Sequence, residues 1–143
     1  MLIIKKIPVV INFLNCKIKK RFSDMLQSHD INLTPEQYLV MDILWDEESL
    51  SQQTIADILQ KDKNSVTKFI DSLEKKGLVF RSTDKADRRI NNISVSEEGS
   101  KLKQKTTDVA VNTMESVLDG ISEDELAICI TVMEKIKKNI EEF

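Results

Sequence analysis

The sequence predicts a mainly α-helical protein with one short β-hairpin, and three observations support this fold class. Glycine and proline together make up 5 of the 143 residues, whereas average usage is about 12%. Apolar residues recur at intervals of three or four along most of the chain, as in amphipathic helices. Residues 78–96 instead contain two short apolar–polar alternations around a polar turn, which is typical of a hairpin.

The composition excludes several kinds of enzyme site. The three glycines are isolated, so they form neither a Walker A loop nor a dinucleotide-binding fingerprint. His29 is the only histidine, so no histidine-based metal site is predicted. Cys16 and Cys129 are not spaced as a zinc or thioredoxin-like motif, and we expect both to be buried as small apolar residues in a cytoplasmic protein. We therefore predict no enzymatic activity and no cofactor.

The charge is unevenly distributed, although the net charge is only −3. Counting Lys and Arg against Asp and Glu gives +4 for residues 1–30, −6 for 31–60, +4 for 61–90 and −5 for 91–143. A basic segment within an acidic chain is typical of local contact with phosphate groups. Ordinary scatter explains the same numbers equally well, so charge alone does not decide the function.

The apolar residues 1–15 raise the question of a signal peptide or a membrane span. Lys5 and Lys6 interrupt the apolar run, and no small-residue cleavage site follows it. A membrane span needs about 20 uninterrupted apolar residues. We therefore expect no membrane association and interpret the segment as the start of a helix that packs against protein.

The first two helices are predicted from apolar spacing and from capping residues. Residues 9–27 have the spacing of an amphipathic helix. The next helix begins at a capping box formed by Thr34 and Gln37, with Pro35 at the first helical position. It ends near Trp45, where acidic residues follow.

Two helices separated by a tight turn come next, and a hairpin follows them. Ser51 caps the shorter helix, and residues 62–76 form the longer one. Gly77 ends it, because glycine readily adopts the left-handed conformation found just past a helix end. The predicted strands, residues 78–82 and 92–96, flank a polar turn.

Two further helices complete the chain. Ser96 starts one helix, which Gly120 ends. Ser122 and Glu125 form a second capping box at the start of the last helix. The chain contains no repeat and no low-complexity linker, so we predict a single domain.

A short helix, a tight turn, a longer helix and a two-stranded hairpin together form a winged helix-turn-helix. We place this core at about residues 34–98 of a single domain over 1–143, with the wing at 79–95. Helical extensions at about 5–30 and 99–143 carry apolar faces that a small core cannot cover. Because exposed apolar patches of this kind mark interfaces, we expect these extensions to be dimerisation helices.

The longer helix of the pair has the composition of a DNA-reading helix. Val66, Phe69 and Ile70 face inward. The opposite side therefore carries short polar and basic residues, namely Lys63, Asn64, Ser65, Thr67 and Lys68. A major groove about 12 Å wide admits such a helix, in which Asn64 suits adenine and Lys68 suits guanine or a phosphate.

Two neighbouring segments add candidate contacts to DNA. The start of the shorter helix offers backbone amides to a phosphate at Ser51, Gln52 and Gln53. A basic hairpin tip can enter the minor groove, where the negative potential attracts arginine. The hairpin candidates are Arg81, Lys85, Asp87, Arg88 and Arg89. The alternative is a solvated turn without a binding role. The position of the hairpin directly after the helix pair favours contact with DNA.

Residues 33–99 resemble the MarR family of bacterial winged-helix transcriptional regulators. The specific pieces are LTPEQ at the start of this segment, LEKKGLV at the end of the long helix, and DRR followed by SVSEEG after the hairpin turn. The chain has Val95 and Ser96 where the family usually has Leu-Thr. This departure keeps one apolar residue and one capping residue.

The resemblance implies an obligate homodimer that binds double-stranded DNA at a pseudo-palindromic operator, as a repressor released by a small aromatic or anionic ligand. Recognition helix 62–76 would lie in the major groove and wing 79–95 in the minor groove. The family's wing-tip arginine falls on Arg89, which Asp87 would orient through a charge-assisted hydrogen bond. The recognition positions fall on Asn64, Ser65, Thr67 and Lys68.

Two regulatory features of the family have weaker support in this sequence. Some members sense oxidants through a cysteine of the N-terminal helix, where Cys16 lies, but burial as an apolar residue is the favoured interpretation. His29, Lys20 and Trp45 are candidates for lining a ligand cleft, although a loop, a solvated face and the core are their simpler locations. A winged-helix module that binds protein and not DNA remains the alternative function.

Overall fold

A computed structural model describes residues 2–143 and divides the chain into two compact units, one up to Thr113 and one over Met114–Phe143. Met1 lies outside the described residues. The two units are considered separately below, and the single domain over residues 1–143 stays a prediction.

The described residues form seven helices and three strands, which confirms the mainly helical fold class. In chain order these are α1 (Ile3–Ser28), α2 (Pro35–Glu47), β1 (Ser49–Ser51), α3 (Gln52–Leu59), α4 (Lys63–Lys75), β2 (Val79–Thr83), β3 (Asn91–Val95), α5 (Glu97–Lys101), α6 (Lys103–Val117) and α7 (Glu123–Glu141).

The predicted caps set the helix starts. The Thr34 hydroxyl oxygen accepts a hydrogen bond from the Gln37 amide at 3.2 Å, and the Gln37 side-chain oxygen accepts one from the Thr34 amide at 3.1 Å. The predicted box of Ser122 and Glu125 at the start of α7 has the same reciprocal pattern. Gly77 lies just past α4 with a φ of 74°, in the left-handed region.

Two helix boundaries differ from those predicted. The first helix begins at Ile3 and not at residue 9, because apolar residues keep the same spacing toward the N-terminus. The helix predicted from Ser96 is interrupted at Leu102, which separates α5 from α6. The Leu102 amide bonds to the Gly99 carbonyl, three residues back, which is the tighter turn often found at helix ends.

The predicted two-stranded wing is incomplete, because the sheet has three strands in the order β1-β3-β2, all antiparallel. Leu50 of β1 and Arg81 of β2 both pair with Ile93 of the central strand. β1 has only three residues, which is too short to show an alternating pattern in the sequence. It joins the end of α2 to the start of α3 and thereby ties the wing to the helix pair.

The core of the first unit lies between the helix pair, α2 and the sheet. Its fully buried apolar side chains come from α1, α2, α3, α4 and β3: Leu26, Val40, Met41, Leu44, Ile55, Val66, Ile70, Leu73 and Ile93. Trp45 at the end of α2 is also buried and donates its indole N–H to the Gly99 carbonyl at 3.0 Å.

The second unit contains the end of α6 and the whole of α7. Gly120, with a φ of 80°, lies in the turn between them. No residue of α7 is buried. Its apolar side chains are therefore exposed in the single chain.

Gly99 is the position where the first unit packs most closely. A Cβ at residue 99 would clash with the Leu78 carbonyl oxygen and would lie 2.9 Å from Cγ1 of Val95. Because the Leu78 carbonyl belongs to the backbone just before β2, it cannot move aside without moving the wing. A side chain is therefore not accommodated there.

We predict that Gly99→Ala lowers the free energy of unfolding by about 1–3 kcal/mol or more, as overpacking of a tight interior does. Equilibrium unfolding in urea measures this change. Ser100→Ala, at the adjacent exposed position, is the matched control and should change stability by less than about 0.5 kcal/mol. Equal stability of the two variants would contradict the packing described.

Candidate nucleic-acid interface

The outer side of α4 carries the exposed polar residues of the candidate interface. Val66 and Ile70 are fully buried on the inner side of this helix. In the first half of the helix, the exposed polar residues on the other side are Lys63, Asn64 and Lys68. The structure thus brings together two cations and one amide on a helix that the core holds in place.

Two hydroxyl groups on the same helix are hydrogen-bonded within the protein. The Ser65 amide and hydroxyl each donate to the Asp62 carboxylate at 2.8 Å. These bonds, from the amide first and the hydroxyl second, hold the pKa of Asp62 below its ordinary value. The Thr67 hydroxyl donates to the Lys63 carbonyl at 2.9 Å. Both residues are half-buried.

The start of α3 contacts α4 through a side chain. Gln52 donates its amide N–H to the Thr67 hydroxyl oxygen at 2.6 Å. Ser51 caps α3 by accepting a hydrogen bond from the Thr54 amide at 3.1 Å. Gln53 is exposed and donates to Asp57 along the same helix. Gln52 is one of the three residues predicted to hold a phosphate. It also links the two helices of the pair.

Arg81 is engaged in ion pairs with α4. Its guanidinium lies 2.7 Å from an Asp71 oxygen and 2.9 Å from a Glu74 oxygen, and its amide donates to Glu74 at 3.3 Å. The side chain is only 22% exposed. Arg81 therefore joins strand β2 to the recognition helix, which the sequence pattern did not indicate because the partners lie in another element.

The wing tip holds one arginine in a defined position. Nε and Nη2 of Arg89 donate to the two carboxylate oxygens of Asp87, each at 3.0 Å. The contact that the resemblance implied is therefore present. The Arg89 side chain is 90% exposed, so the pair fixes its direction without burying it. Lys85 and Arg88 are exposed on the same turn.

Asp84 organises the turn that carries these cations, and the sequence analysis did not assign it a role. Its carboxylate accepts hydrogen bonds from the amides of Ala86 and Asp87, at 2.8 and 3.0 Å, and from the Asn92 side chain at 3.1 Å. The Asn92 bond first, and then the two amides, lower the pKa of Asp84. An Asp at the start of a polar turn is the signal that could have identified this role.

A polar contact between α2 and the far end of α4 was also missed. Gln37 donates to the Ser72 hydroxyl at 2.9 Å and accepts from the Lys76 ammonium at 2.8 Å. Lys76 also donates to the Asn32 carbonyl, and partial burial lowers its pKa. In the sequence, the capping box alone accounted for Gln37, so no pattern indicated its contacts with Ser72 and Lys76.

The expectation that both cysteines are buried is wrong for the single chain, because Cys16 and Cys129 are exposed. Apolar side chains are exposed in the stretch of α1 before Cys16 and along α7, in which no residue is buried.

The three candidate ligand-lining residues are not brought together. Trp45 lines a cleft of about 380 Å³ with Ser94, Ser100 and Lys103, and neither Lys20 nor His29 lines it. Lys20 instead pairs with an acid one turn further along α1, and His29 bonds to a carbonyl at the end of that helix.

Among residues 2–143, no cluster of three or more His, Cys, Asp or Glu side chains has an arrangement able to hold a metal ion. None of the helices in this part of the chain combines the length and apolar character needed to cross a membrane.

Residues 33–90 match the family model described as the MarR family. Over these residues the chain matches the MarR-family domain. This finding confirms the resemblance seen in the sequence. It also covers the helix pair and the wing turn, which contain the candidate interface.

The MarR-family domain is similar to proteins of known role and structure. The organic hydroperoxide resistance transcriptional regulator of Bacillus subtilis (strain 168) is 30% identical over 93 residues, which is 65% of this chain and 62% of that protein. The match thus spans less than two thirds of the relative.

Two solved structures show the same fold. The S. aureus MepR–DNA complex is 24% identical and covers 92% of this chain and 96% of its own, with a TM-score of 0.84. A mutant of E. coli MarR complexed with operator DNA is 19% identical. The match covers 95% of this chain and 98% of the MarR chain, also with a TM-score of 0.84. The winged helix-turn-helix prediction is therefore confirmed.

The ion pair at the wing tip predicts a measurable titration shift. The bond from Arg89 holds the pKa of Asp87 below its ordinary value, which is about 3.9. Because a lowered pKa means that the charged form is favoured, the pair is intact above the ordinary value and is lost as pH falls through the lowered one. We predict that Arg89→Gln raises the pKa of Asp87 toward the ordinary value in a carboxyl NMR titration.

Asp84 in the same MarR-family domain is an internal control for this experiment. Its pKa is lowered by Asn92 and by backbone amides and not by Arg89, so it should stay low in the variant. If Asp87 titrated identically with and without the guanidinium, the ion pair would have no electrostatic effect.

Proposed function

We propose that the chain is a dimeric, sequence-specific DNA-binding transcriptional regulator, and specifically a repressor that a small aromatic or anionic ligand releases from DNA. The observation that carries this proposal is the exposed Arg89, held by Asp87 at the wing tip of a MarR-family domain. The crystallised relatives MepR and MarR, which share this fold, are complexes with DNA. The proposed role is binding and not catalysis.

Electrostatics support DNA as the partner of this surface. The exposed cations of α4 are Lys63, Lys68 and, at its last position, Lys75, and those of the wing turn are Lys85, Arg88 and Arg89. Acidic residues dominate residues 31–60 and 91–143, so these two segments repel phosphates outside the contacts named. A duplex is therefore attracted to one edge of the domain and not to the chain as a whole.

Apolar surface supports assembly into a dimer. In the single chain, Ile3 and Ile4 of α1 are 77% and 78% exposed, and Ile128 and Ile140 of α7 are 65% and 62% exposed. Large apolar side chains exposed along a helix face usually mark an interface. A second copy, with its helices packed against α1 and α7, would cover these side chains.

A symmetric dimer determines the form of the DNA site. Two copies of α4 related by a two-fold axis read the same sequence on opposite strands, so the site is an inverted repeat. The half-sites then lie about one helical turn, or a multiple of it, apart from centre to centre. Release by a ligand, a cytoplasmic location and the action of residues 1–143 as one domain are parts of the proposal that rest on the family resemblance.

We predict that Arg89→Ala weakens DNA binding about 10-fold or more, because hydrogen bonds to charged groups contribute about 1.5–3 kcal/mol. The slope of log affinity against log salt should also become shallower by about 1. Fluorescence anisotropy with a labelled duplex, repeated over a range of salt concentrations, measures both quantities. The duplex is one selected by the wild-type protein from a random pool.

Lys137→Ala removes one exposed cation from α7 and is the matched control for net charge. It should change affinity by less than about twofold, because Lys137 is none of the candidate contacts and salt largely screens an exposed charge that makes no direct contact. A wild-type protein whose affinity for every duplex is insensitive to salt would exclude DNA as the partner, and would favour a module that binds protein.

We predict that wild-type protein sediments at twice the chain mass of 16.4 kDa and that Leu14→Glu sediments as a single chain. Leu14 is 45% exposed on α1, so a charge there is tolerated by the monomer but not in an apolar interface. Analytical ultracentrifugation measures the mass.

Asn12→Glu places the same charge at an exposed polar position of the same helix and should leave the dimer intact. A single-chain mass for the wild-type protein would overturn the dimer.

A further inference from the structure

The four polar residues at the recognition positions of α4 fall into two different pairs. Ser65 and Thr67 are half-buried and hydrogen-bonded, whereas Asn64 and Lys68 are exposed. In the part of the chain that the structure describes, the side chains of Asn64 and Lys68 have no hydrogen-bond or ion-pair partner. The sequence placed all four among the candidate DNA contacts, with Asn64 suited to adenine and Lys68 to guanine or a phosphate.

Ser65 is engaged in starting the helix. Its amide and its hydroxyl both donate to Asp62, at 2.8 Å each. A hydroxyl has one proton to donate, so donation to a base would require Ser65 to leave Asp62. Asp62 would then lose this hydrogen bond, and its negative charge would be less well compensated close to the negatively charged duplex.

Thr67 is engaged in joining the two helices of the pair. Its proton goes to the Lys63 carbonyl at 2.9 Å, and its oxygen accepts from Gln52 at 2.6 Å. One of its two lone pairs is therefore occupied as well as its proton. Thr67 therefore has only one lone pair left to bond to a base. Gln52 already uses one of its two amide protons in the bond to Thr67.

Asn64 and Lys68 are separated by four residues, so they lie on one face of the helix, one turn apart. Four residues correspond to a rise of about 6 Å at 1.5 Å per residue. Base pairs succeed each other every 3.4 Å or so along the duplex. With the helix lying along the direction of the base-pair stack, the two side chains therefore reach bases about two steps apart, and a tilted helix brings these bases closer together.

We propose that Asn64 and Lys68 are the base-reading pair and that Ser65, Thr67 and Gln52 are positioning residues. The partner is then a duplex whose half-site has an adenine at Asn64 and a guanine about two base pairs away at Lys68, because asparagine pairs with adenine N6 and N7, and lysine with guanine O6 and N7. This inference rests on the proposed function.

The test is selection of duplexes from a random pool by the full-length chain and by three variants. Asn64→Ala should lose about 10- to 100-fold of its discrimination at one position of each half-site, and Lys68→Ala a comparable amount at a second position about two steps away. Ser65→Ala keeps its amide bond to Asp62 and is the matched control, because it should select the wild-type sequence.

Gln52→Ala and Thr67→Ser test the positioning role. Gln52→Ala should weaken binding to selected and mismatched duplexes by the same factor, so that the ratio of their affinities is unchanged. Thr67→Ser keeps the hydroxyl that accepts from Gln52 and should bind like wild type. A residue that reads a base would instead change the ratio of affinities.

The outcomes separate this inference from the function on which it rests. If wild-type protein enriches an inverted repeat but Ser65→Ala alters the selected bases while Asn64→Ala does not, the reading pair is wrong and the regulator stands. If adenine and guanine are absent from the enriched half-site, the reading pair is again wrong. If wild-type protein enriches no sequence, the sequence-specific regulator fails and the inference fails with it.

Discussion

Burial of one face of α4 is the constraint on which the candidate interface depends. Val66, Ile70 and Leu73 are fully buried against α2, α3 and the sheet, so the rotation of the helix about its own axis is fixed. Rotating α4 to present another face would expose these three side chains, at about 1.5–3 kcal/mol each. The exposure of Asn64 and Lys68 is therefore a consequence of packing and not of their own chemistry.

The wing tip is fixed by polar contacts and not by apolar burial. Asp84 gathers two backbone amides and a side chain of β3, and Asp87 fixes the guanidinium of Arg89. Burial could not hold Arg89 in place for DNA binding, because a buried arginine could not enter a groove. A turn held by charge-assisted bonds keeps its cations in water and still limits their motion, which lowers the entropy lost when they bind.

Local features could be predicted from the sequence, whereas contacts between distant residues could not. The caps at Thr34 and Ser122 act within four residues, so each is visible as a short pattern. The bond between Asp87 and Arg89 spans two residues and was implied by the resemblance of the wing turn to the family. The bond from Gln52 to Thr67 and the ion pairs of Arg81 join different elements. Strand β1 has too few residues for any periodicity, and pairing with β3 alone makes it a strand.

Polar contacts at both ends of α4 indicate how binding could be regulated. Gln52 holds its first turns, while Gln37 and Lys76 hold its last ones against α2. Displacing α4 within its domain would break these bonds and open the core at the same time. In the dimer that we propose, a ligand would act at lower cost by changing the distance between two intact copies of the domain, since an inverted repeat on a stiff duplex tolerates only one separation. The expected point of action of the proposed ligand is therefore the spacing of the two copies and not α4 itself.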